Sequence, residues 1–174
     1  MSTGRIILPG EGRSVSTPTF QATFLVTGPE AHHASIVENL IAPGLDVGAH
    51  LHNGTDECFY VLDGELELFA FEPTRRTADG WDEWESADGR RPVRAEAGTC
   101  AIIPRGCPHA FRNTTRAPAR LLTIASPVGA LESYLEAMAE ILTTRPPSEH
   151  REAIARMRAA YDTHQITLFK TPPP

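Results

Sequence analysis

Three side chains near the middle of the chain have types and a spacing that suit metal coordination. His50 and His52 are one residue apart, and Glu57 follows in the same stretch, GLDVGAHLHNGTDECFYVLDG, residues 44–64. On a strand, residues i and i+2 point to one face about 6.5–7 Å apart, so both imidazoles could share an ion. The Asn-Gly pair at 53–54 can turn the chain and return the carboxylate beside them. The stretch predicts three candidate ligands from one hairpin, although a His-X-His pair also suits surface or hydrogen-bonded core histidines.

A second stretch, GTCAIIPRGCPHAFRN at residues 98–113, adds His109 and gives the first stretch a counterpart. Both have glycines and ligand-type residues at fixed separations, and the second also has a proline at a fixed position. They read Gly44, five residues, His50, one residue, His52, four residues, Glu57, six residues, Gly64, and then Gly98, five residues, Pro104, one residue, Gly106, two residues, His109, three residues, Asn113. These spacings match the two motifs of the cupin superfamily, and the resemblance covers about residues 33–126.

The cupin resemblance implies a fold and a site. The fold is all-β, a double-stranded β-helix (the cupin jelly-roll barrel), and His50, His52, Glu57 and His109 are expected to meet inside it. Imidazoles with one carboxylate suit one divalent transition metal, Fe, Ni, Mn, Co or Zn, better than Ca or Mg. Four protein ligands on an ion that takes six would leave positions open, which is typical of catalytic sites.

Short apolar or alternating runs between residues 20 and 126, separated by Gly, Pro, Asn and Asp, agree with a sandwich or barrel. The Asp-Gly pair at 63–64 predicts a two-residue hairpin, so the strands on either side of it are expected to pair antiparallel. We divide the chain into an N-terminal arm (1–19), the barrel (20–126), a C-terminal helical extension (127–170) and a disordered tail (171–174).

The charged segment 72–95 interrupts the strand pattern and contains both tryptophans of the chain, Trp81 and Trp84. It is interpreted as a solvated extension that the two indoles fix to the barrel, with a substrate-contacting lid as the alternative. After Pro127 the apolar spacing changes to three and four residues. That spacing predicts two C-terminal α-helices, the first ending near the Pro-Pro pair and the second capped by Ser148.

Strand parity identifies the residues that could surround the metal. If the strand after Glu57 is regular, Phe59 and Val61 point inward, and Phe111 follows His109 inward by the same rule. These three side chains are either core or the wall of a pocket for a flat, apolar substrate. Asn113 is expected to tie a turn. Cys58, Cys100 and Cys107 stand at unrelated spacings and are interpreted as reduced.

Length and charge narrow the possible classes of protein. The chain has 174 residues, enough for one ordinary domain, and a formal net charge of −6. Because it has no basic cluster, no apolar run of membrane-spanning length and no secretory signal, we expect no nucleic-acid partner, no membrane span and a cytoplasmic location. A small-molecule substrate is the expected partner. A homodimer is expected because barrels with exposed edge strands commonly pair.

The cupin barrel followed by two helices resembles, more loosely, the short quercetin 2,3-dioxygenase-like cupins. That resemblance implies metal-dependent oxygenation of a flavonol-like or other enolic or aromatic small molecule, with Glu57 as both ligand and candidate general base. Two alternatives stay open. One is a non-redox metal-dependent cyclase, isomerase or lyase of a polyketide-like molecule, as in the polyketide-cyclase cupins. The other is a non-catalytic cupin that binds a small ligand.

Overall fold

The strands of the barrel lie between residues 13 and 126, and two helices and a short strand follow them. The structure is a computed structural model that describes residues 4–28, 33–77, 79–128 and 130–171. The strands in this part of the chain are β1 (Arg13–Ser16), β2 (Phe20–Val26), β3 (Ser35–Ile41), β4 (His50–Leu51), β5 (Asp56–Asp63), β6 (Glu65–Ala70), β7 (Val93–Glu96), β8 (Cys100–Ile103), β9 (His109–Arg112), β10 (Ala119–Ser126) and β11 (His164–Gln165). The helices are α1 (Ala130–Thr144) and α2 (Pro147–Ala160).

The strands form two antiparallel sheets that face each other. One has six strands in the order β1-β2-β3-β10-β5-β8, and the other has five in the order β11-β4-β9-β6-β7. Along β10, Leu121, Thr123 and Ala125 are buried while the residues between them are partly exposed, the period of two expected for a sheet with one buried face. The predicted all-β jelly roll with two C-terminal helices is confirmed.

The predicted hairpin at the Asp-Gly pair is wrong. β5 pairs with β10 and β8, whereas β6 pairs with β7 and β9, so the chain changes sheets between Asp63 and Glu65. Gly64 has a φ of +74°, and a Cβ there would lie 3.0 Å from backbone atoms of Ala119 and Pro118. Glycine therefore serves a tight sheet-to-sheet crossing at this position, a geometry with the same local preference for positive φ as a hairpin turn.

The same crossing pattern corrects the first ligand stretch. His50 begins β4 in the five-stranded sheet and Glu57 lies on β5 in the six-stranded sheet, so the segment between them bridges two sheets. The predicted ligand hairpin is therefore a connection across the barrel. It still brings the side chains together, because both strands present them to the space between the sheets.

The two helices lie where the sequence places them, with one difference at the start of α2. Pro146 is the residue that precedes α2 and Pro147 is its first residue, so Ser148 lies inside the first turn and does not cap the helix. Proline suits this position because the first helical N–H groups have no partner within the helix. No helix in the described ranges is both long and apolar enough to cross a membrane.

Short strands extend the barrel beyond residues 20–126 at both ends. β1 pairs with β2, although it falls within the predicted N-terminal arm. β11 pairs with β4, and the segment after it runs beside residues 46–49 through backbone hydrogen bonds such as those between Lys170 and Asp46. Of the predicted disordered tail, Thr171 is described without regular structure, and 172–174 lie outside the described residues.

The two indoles hold the 72–95 segment against the barrel. Trp81 and Trp84 are almost fully buried in a small apolar cluster with Phe69 and Phe71. The Trp81 indole N–H donates to Asp46, and the guanidinium of Arg112 lies 4.3 Å from the Trp81 ring centroid. Neither tryptophan lines the cavity described below, so the structure agrees with the packed extension and not with the lid.

Candidate metal centre

Three histidines from the five-stranded sheet converge inside the barrel. His50 on β4 pairs directly with His109 on β9, and His52 follows the end of β4. One ring nitrogen from each lies within 4.8 Å of the others. His109 is completely buried and His50 is 8% exposed. The three imidazoles are therefore positioned to bind one metal ion, which agrees with the predicted site.

Backbone carbonyls orient all three rings in the same way. The Nδ1 atoms of His50, His52 and His109 lie 2.8, 3.0 and 3.0 Å from the carbonyl oxygens of Gly48, Asp162 and Cys107. A carbonyl can only accept, so each Nδ1 carries the proton and donates it. In the neutral ring this leaves a lone pair on each Nε2, which is the form that ligates a metal.

Glu57 completes the cluster from the opposite sheet. Its Oε2 lies 3.0 Å from His109 Nε2 and 3.6 Å from His52 Nε2, and it is 8% exposed. Neither Glu57 Oε2 nor His109 Nε2 has a hydrogen-bond partner within the described residues. Two buried lone pairs facing each other repel, whereas neighbouring ligands of one ion with bonds of about 2.1 Å lie about 3 Å apart. The residues present thus fit a divalent metal.

The surroundings favour the protonation states that a metal needs. Burial, helped by the neighbouring His109 and Arg158, lowers the pKa of His50 well below its usual value. Burial likewise lowers the pKa of His52. For Glu57 burial acts to raise the pKa, but close contact with His109 and the charge of His52 outweigh it and the pKa is lowered. Burial thus favours the neutral form of His50 and His52, and the neighbouring histidines favour the ionised form of Glu57.

A largely apolar cavity opens beside the ligands. It lies between the two sheets and is bordered on one side by residues of α1. The residues that line it are Phe20, Asn39, Ile41, Leu45, Val47, His50, His52, Thr55, Glu57, Phe59, Phe111, Thr123, Ala125, Leu131, Tyr134, Leu135, Met138, Tyr161, Thr163 and Phe169.

The predicted wall residues divide between cavity and core. Phe59 and Phe111 both line the cavity, and their rings meet edge to face with centroids 5.6 Å apart. Val61 points inward as parity predicts but is fully buried among core side chains and does not line the cavity. Val61 lies two residues farther along β5 from Glu57 than Phe59 does, and this places it in the core and not in the pocket wall.

Sequence reasoning missed the polar residues of the cavity wall. The buried Asn39 amide donates to the Thr123 hydroxyl at 3.1 Å, and both side chains line the cavity. A signal was present, because Asn39 alternates with Val37 and Ile41 and so lies on an apolar strand face.

Asn113 and the cysteines lie outside the cavity wall. Asn113 donates to the carbonyls of Ile41 and Ala117 and accepts from Thr115, the turn-tying role predicted for it. Cys58, Cys100 and Cys107 are free thiols. Cys58 and Cys100 lie on the outer side of neighbouring strands, with sulfur atoms 3.6 Å apart, and take no part in the metal cluster.

Comparisons with known proteins agree with this architecture. The family model described as "Cupin domain" matches residues 78–125, a range that includes His109 but not the first three candidate ligands. No curated protein matches the sequence at a significant level. KdgF from Halomonas sp. is similar in structure with a TM-score of 0.55 and 16% identity, covering 73% of this chain and 96% of that one.

Two further solved structures show how varied the similar proteins are. The polyketide cyclase RemF from Streptomyces resistomycificus has a TM-score of 0.54 and 19% identity, covering 71% of this chain and 80% of its own. Ectoine synthase from P. lautus has a TM-score of 0.51 and 17% identity, covering 71% of this chain and 75% of its own. At such identities the likeness shows the fold alone, so the reaction has to be argued from the site.

Proposed function

We propose that this chain is a cupin and a metal-dependent enzyme, in the first place a dioxygenase, for a small apolar molecule with an enolic or phenolic oxygen. One observation carries the proposal. Three Nε2 lone pairs and the Glu57 carboxylate converge beside a largely apolar cavity that could admit such a molecule.

The ligand set suits catalysis more than structure. His50, His52, His109 and Glu57 would hold a divalent transition ion, which when bound would supply Lewis acidity toward a substrate oxygen and, if redox-active, reactivity toward dioxygen. Three of these side chains line the cavity, so a substrate in the cavity would lie next to the centre. A purely structural site would be closed on all sides by protein ligands.

Glu57 is the candidate general base. Its pKa is lowered, so the carboxylate is ionised at neutral pH and could accept a proton from a substrate hydroxyl within hydrogen-bond reach. Its burial removes competing water from that oxygen. Glu57 thereby combines the roles of ligand and proton acceptor.

The apolar wall selects the substrate and excludes water. Phe59 and Phe111 offer ring faces and edges to a flat molecule, and Leu131, Leu135 and Met138 of α1 cover the cavity from the helical side. Removal of water strengthens every electrostatic interaction at the centre. The wall thus favours a planar, mostly apolar substrate.

The second candidate is a non-redox cyclase, isomerase or lyase. The paired Asn39 and Thr123 side chains offer polar contacts inside an apolar cavity, which suits a substrate carrying several oxygens, as a polyketide does. Similarity to the fold of a polyketide cyclase is compatible with this candidate. Glu57 would then take the proton without any oxidation of the substrate.

Metal analysis and oxygen uptake distinguish the candidates. The metal content of the natively purified protein is measured first, followed by oxygen consumption with flavonols and other enediols. Uptake that requires both substrate and a redox-active metal supports the dioxygenase. A bound metal with no uptake, but with substrate converted under anaerobic conditions, supports the non-redox enzyme.

Two variants of candidate ligands test whether the protein is an enzyme at all. His50→Ala and Glu57→Ala should lose turnover together with metal. If the purified protein carries no metal, takes up none of the five candidate ions, and binds small ligands as well in both variants as in the unaltered chain, both enzymatic candidates are wrong and a non-catalytic binding protein is left.

A further inference from the structure

The second helix contributes a buried guanidinium with little to neutralise it. Arg158 is 1% exposed, and its Nη2 donates to the Val47 carbonyl at 2.7 Å. The Arg158 Cζ atom lies 5.4 Å from the ring centroid of Phe169. Among the described residues, Nη1 has no hydrogen-bond partner and no carboxylate lies within ion-pair distance of the guanidinium. A buried charge in this state is costly unless an anion comes near it.

Arg158 reaches the cavity through a tyrosine. Its Nε lies 3.2 Å from the hydroxyl oxygen of Tyr134, and Tyr134 lines the cavity. Arginine has donors only, so the hydroxyl oxygen must be the acceptor. The hydroxyl proton is thereby left for another acceptor, and among the described hydrogen bonds none uses it.

The positions of these groups indicate where that acceptor lies. Tyr134 belongs to the helical side of the cavity, whereas His50, His52 and Glu57 belong to the barrel side. A molecule that fills the cavity can therefore be held at the metal centre and at Tyr134 by different atoms. The guanidinium behind the hydroxyl makes it a stronger donor, and a charge-assisted hydrogen bond favours an anionic acceptor over a neutral one.

We propose that Tyr134 binds an anionic oxygen of the substrate, a carboxylate or an enolate separate from the oxygen at the metal centre, and that Arg158 is the positioning residue for this contact. The inference deepens the proposed function and rests on it, because it takes the metal centre as the other anchor of the same molecule. It narrows the substrate to an aromatic or enolic molecule that carries a second, anionic oxygen group apart from the oxygen at the metal centre.

Binding of matched probes to the cobalt-loaded protein tests the proposal. Catechol offers only the metal-binding oxygens, whereas 3,4-dihydroxybenzoate and 3,4-dihydroxyphenylacetate add a carboxylate at two different distances. Each probe is titrated without oxygen, and the visible absorption of bound Co²⁺ is followed. At least one carboxylate probe should bind about tenfold more tightly than catechol.

Variants test whether the preference for carboxylate probes over catechol depends on the Tyr134 hydroxyl. Tyr134→Phe should reduce the carboxylate-to-catechol preference to within about twofold while the Kd of catechol stays the same. Arg158→Gln should reduce it as well, with Co²⁺ affinity and circular dichroism retained. Tyr60→Phe is the matched control, because that exposed tyrosine lies on the outer face of the barrel sheet, and it should keep the preference.

The possible outcomes distinguish a failure of the Tyr134 role from a failure of the proposed metal centre. Equal affinity for the three probes in the unaltered protein, or an undiminished preference in Tyr134→Phe, would overturn the role of Tyr134 and leave the metal centre standing. Catechol that leaves the Co²⁺ spectrum unchanged would instead count against the proposed function, and this inference would fail with it.

Discussion

Each candidate ligand histidine donates its Nδ1 proton to a backbone carbonyl and, within the described part of the chain, to no carboxylate. The acceptors belong to Gly48, Asp162 and Cys107, which lie in three separate segments of the chain. A carbonyl fixes the tautomer and the ring plane, as a carboxylate would. Because it is the weaker acceptor of the Nδ1 proton, it raises the basicity of Nε2 less. The site therefore depends on accurate backbone placement for its affinity.

Loss of one ligand should abolish metal binding without unfolding the chain. In His109→Ala we expect the affinity for Co²⁺ or Zn²⁺ to fall by at least about 100-fold, because the most buried ligand is gone and the tautomer-fixed partners no longer form a complete set. The measurement is competitive titration with a chromophoric chelator. His150→Ala, at a helix-surface histidine that contacts the Arg145 carbonyl, should bind metal normally.

The metal-free protein should lose stability in mild acid. The pKa values of His50 and His52 are lowered from 6.5, so the unfolded chain takes up protons at these residues before the folded chain does. Their contribution to stability is complete above about pH 6.5 and is lost as the pH falls toward their folded pKa values. Urea unfolding in the presence of chelator should show this decline.

A histidine variant identifies the source of that pH dependence. His50→Gln should flatten the dependence between pH 7.5 and 5, whereas carboxylates such as Glu57 act at lower pH because their pKa values are lowered from 4.5. Equal slopes for the variant and the unaltered protein would show that other groups are responsible.

The ligand residues could be predicted from the sequence, but the groups that orient them could not. His50, His52, Glu57 and His109 follow a fixed spacing, whereas the Asp162 carbonyl that holds His52 is 110 residues away along the chain. Backbone carbonyls leave no trace in side-chain identity. The burial of Arg158 could have been predicted, since it follows Ile154 by four residues and so lies on the buried face of α2.

At the scale of elements, the loop before β4 is shaped by the C-terminal segment that runs beside it. Gly48 has a φ of +69°, and a Cβ there would lie 2.6 Å and 2.7 Å from the carbonyl oxygens of Leu168 and Thr167. Those distances are too short for any side chain. The glycine permits two backbones to approach closely two residues before the first ligand.

Gly48→Ala should therefore cost more than backbone strain alone. A positive φ costs an alanine roughly 1–2 kcal/mol, and the clash with residues 167–168 should add to that and weaken metal binding by moving the carbonyl that holds His50. Chemical denaturation and metal titration measure the two effects. Gly98→Ala is the control, because Gly98 has a φ of +93° with open space around it.

If Gly48→Ala and Gly98→Ala lose equal stability, the close approach of the C-terminal segment has no energetic weight. If both keep full metal affinity, the carbonyl of Gly48 does not control the orientation of His50.

The strands could be predicted more readily than their partners. Alternation along β2, β3, β5, β6 and β10 is visible in the sequence, and each of these strands forms. The Asp63-Gly64 pair specifies a turn with positive φ, but a hairpin and a crossing between sheets satisfy that requirement equally. Which one forms is decided by whole-sheet packing, including the approach of Ala119, and that is a long-range property.

At the scale of the whole molecule, the outer face of the six-stranded sheet exposes apolar side chains. Leu40, Tyr60 and Ile102 are 41%, 41% and 78% exposed, and they lie on β3, β5 and β8 of one sheet. The partly exposed Ile124 and Cys58 extend the patch around Ile102, since Ile124 pairs with Cys58 and Cys58 with Ile102, whereas Leu40 lies apart from it beside Arg120. Such contiguous faces are typical of protein interfaces.

We expect this face to form the homodimer. Ile102→Asp should convert a dimer into a monomer in size-exclusion chromatography with light scattering, because a charge would be placed in an apolar contact. Val93→Asp is the matched control, since Val93 is 50% exposed on the opposite sheet and should not change the mass. A dimer that persists in Ile102→Asp would show that another surface is used.

The contacts between residues 162–170 and the first ligand stretch bear on how the protein is made. The Asp162 carbonyl orients His52, and the Thr167 hydroxyl oxygen accepts a hydrogen bond from the backbone N–H of Ala49, the residue before His50. During synthesis all four candidate ligands leave the ribosome well before these residues do. A nascent chain would thus carry every candidate ligand before the carbonyl that orients His52, and stable metal loading should follow the emergence of residues 162–170.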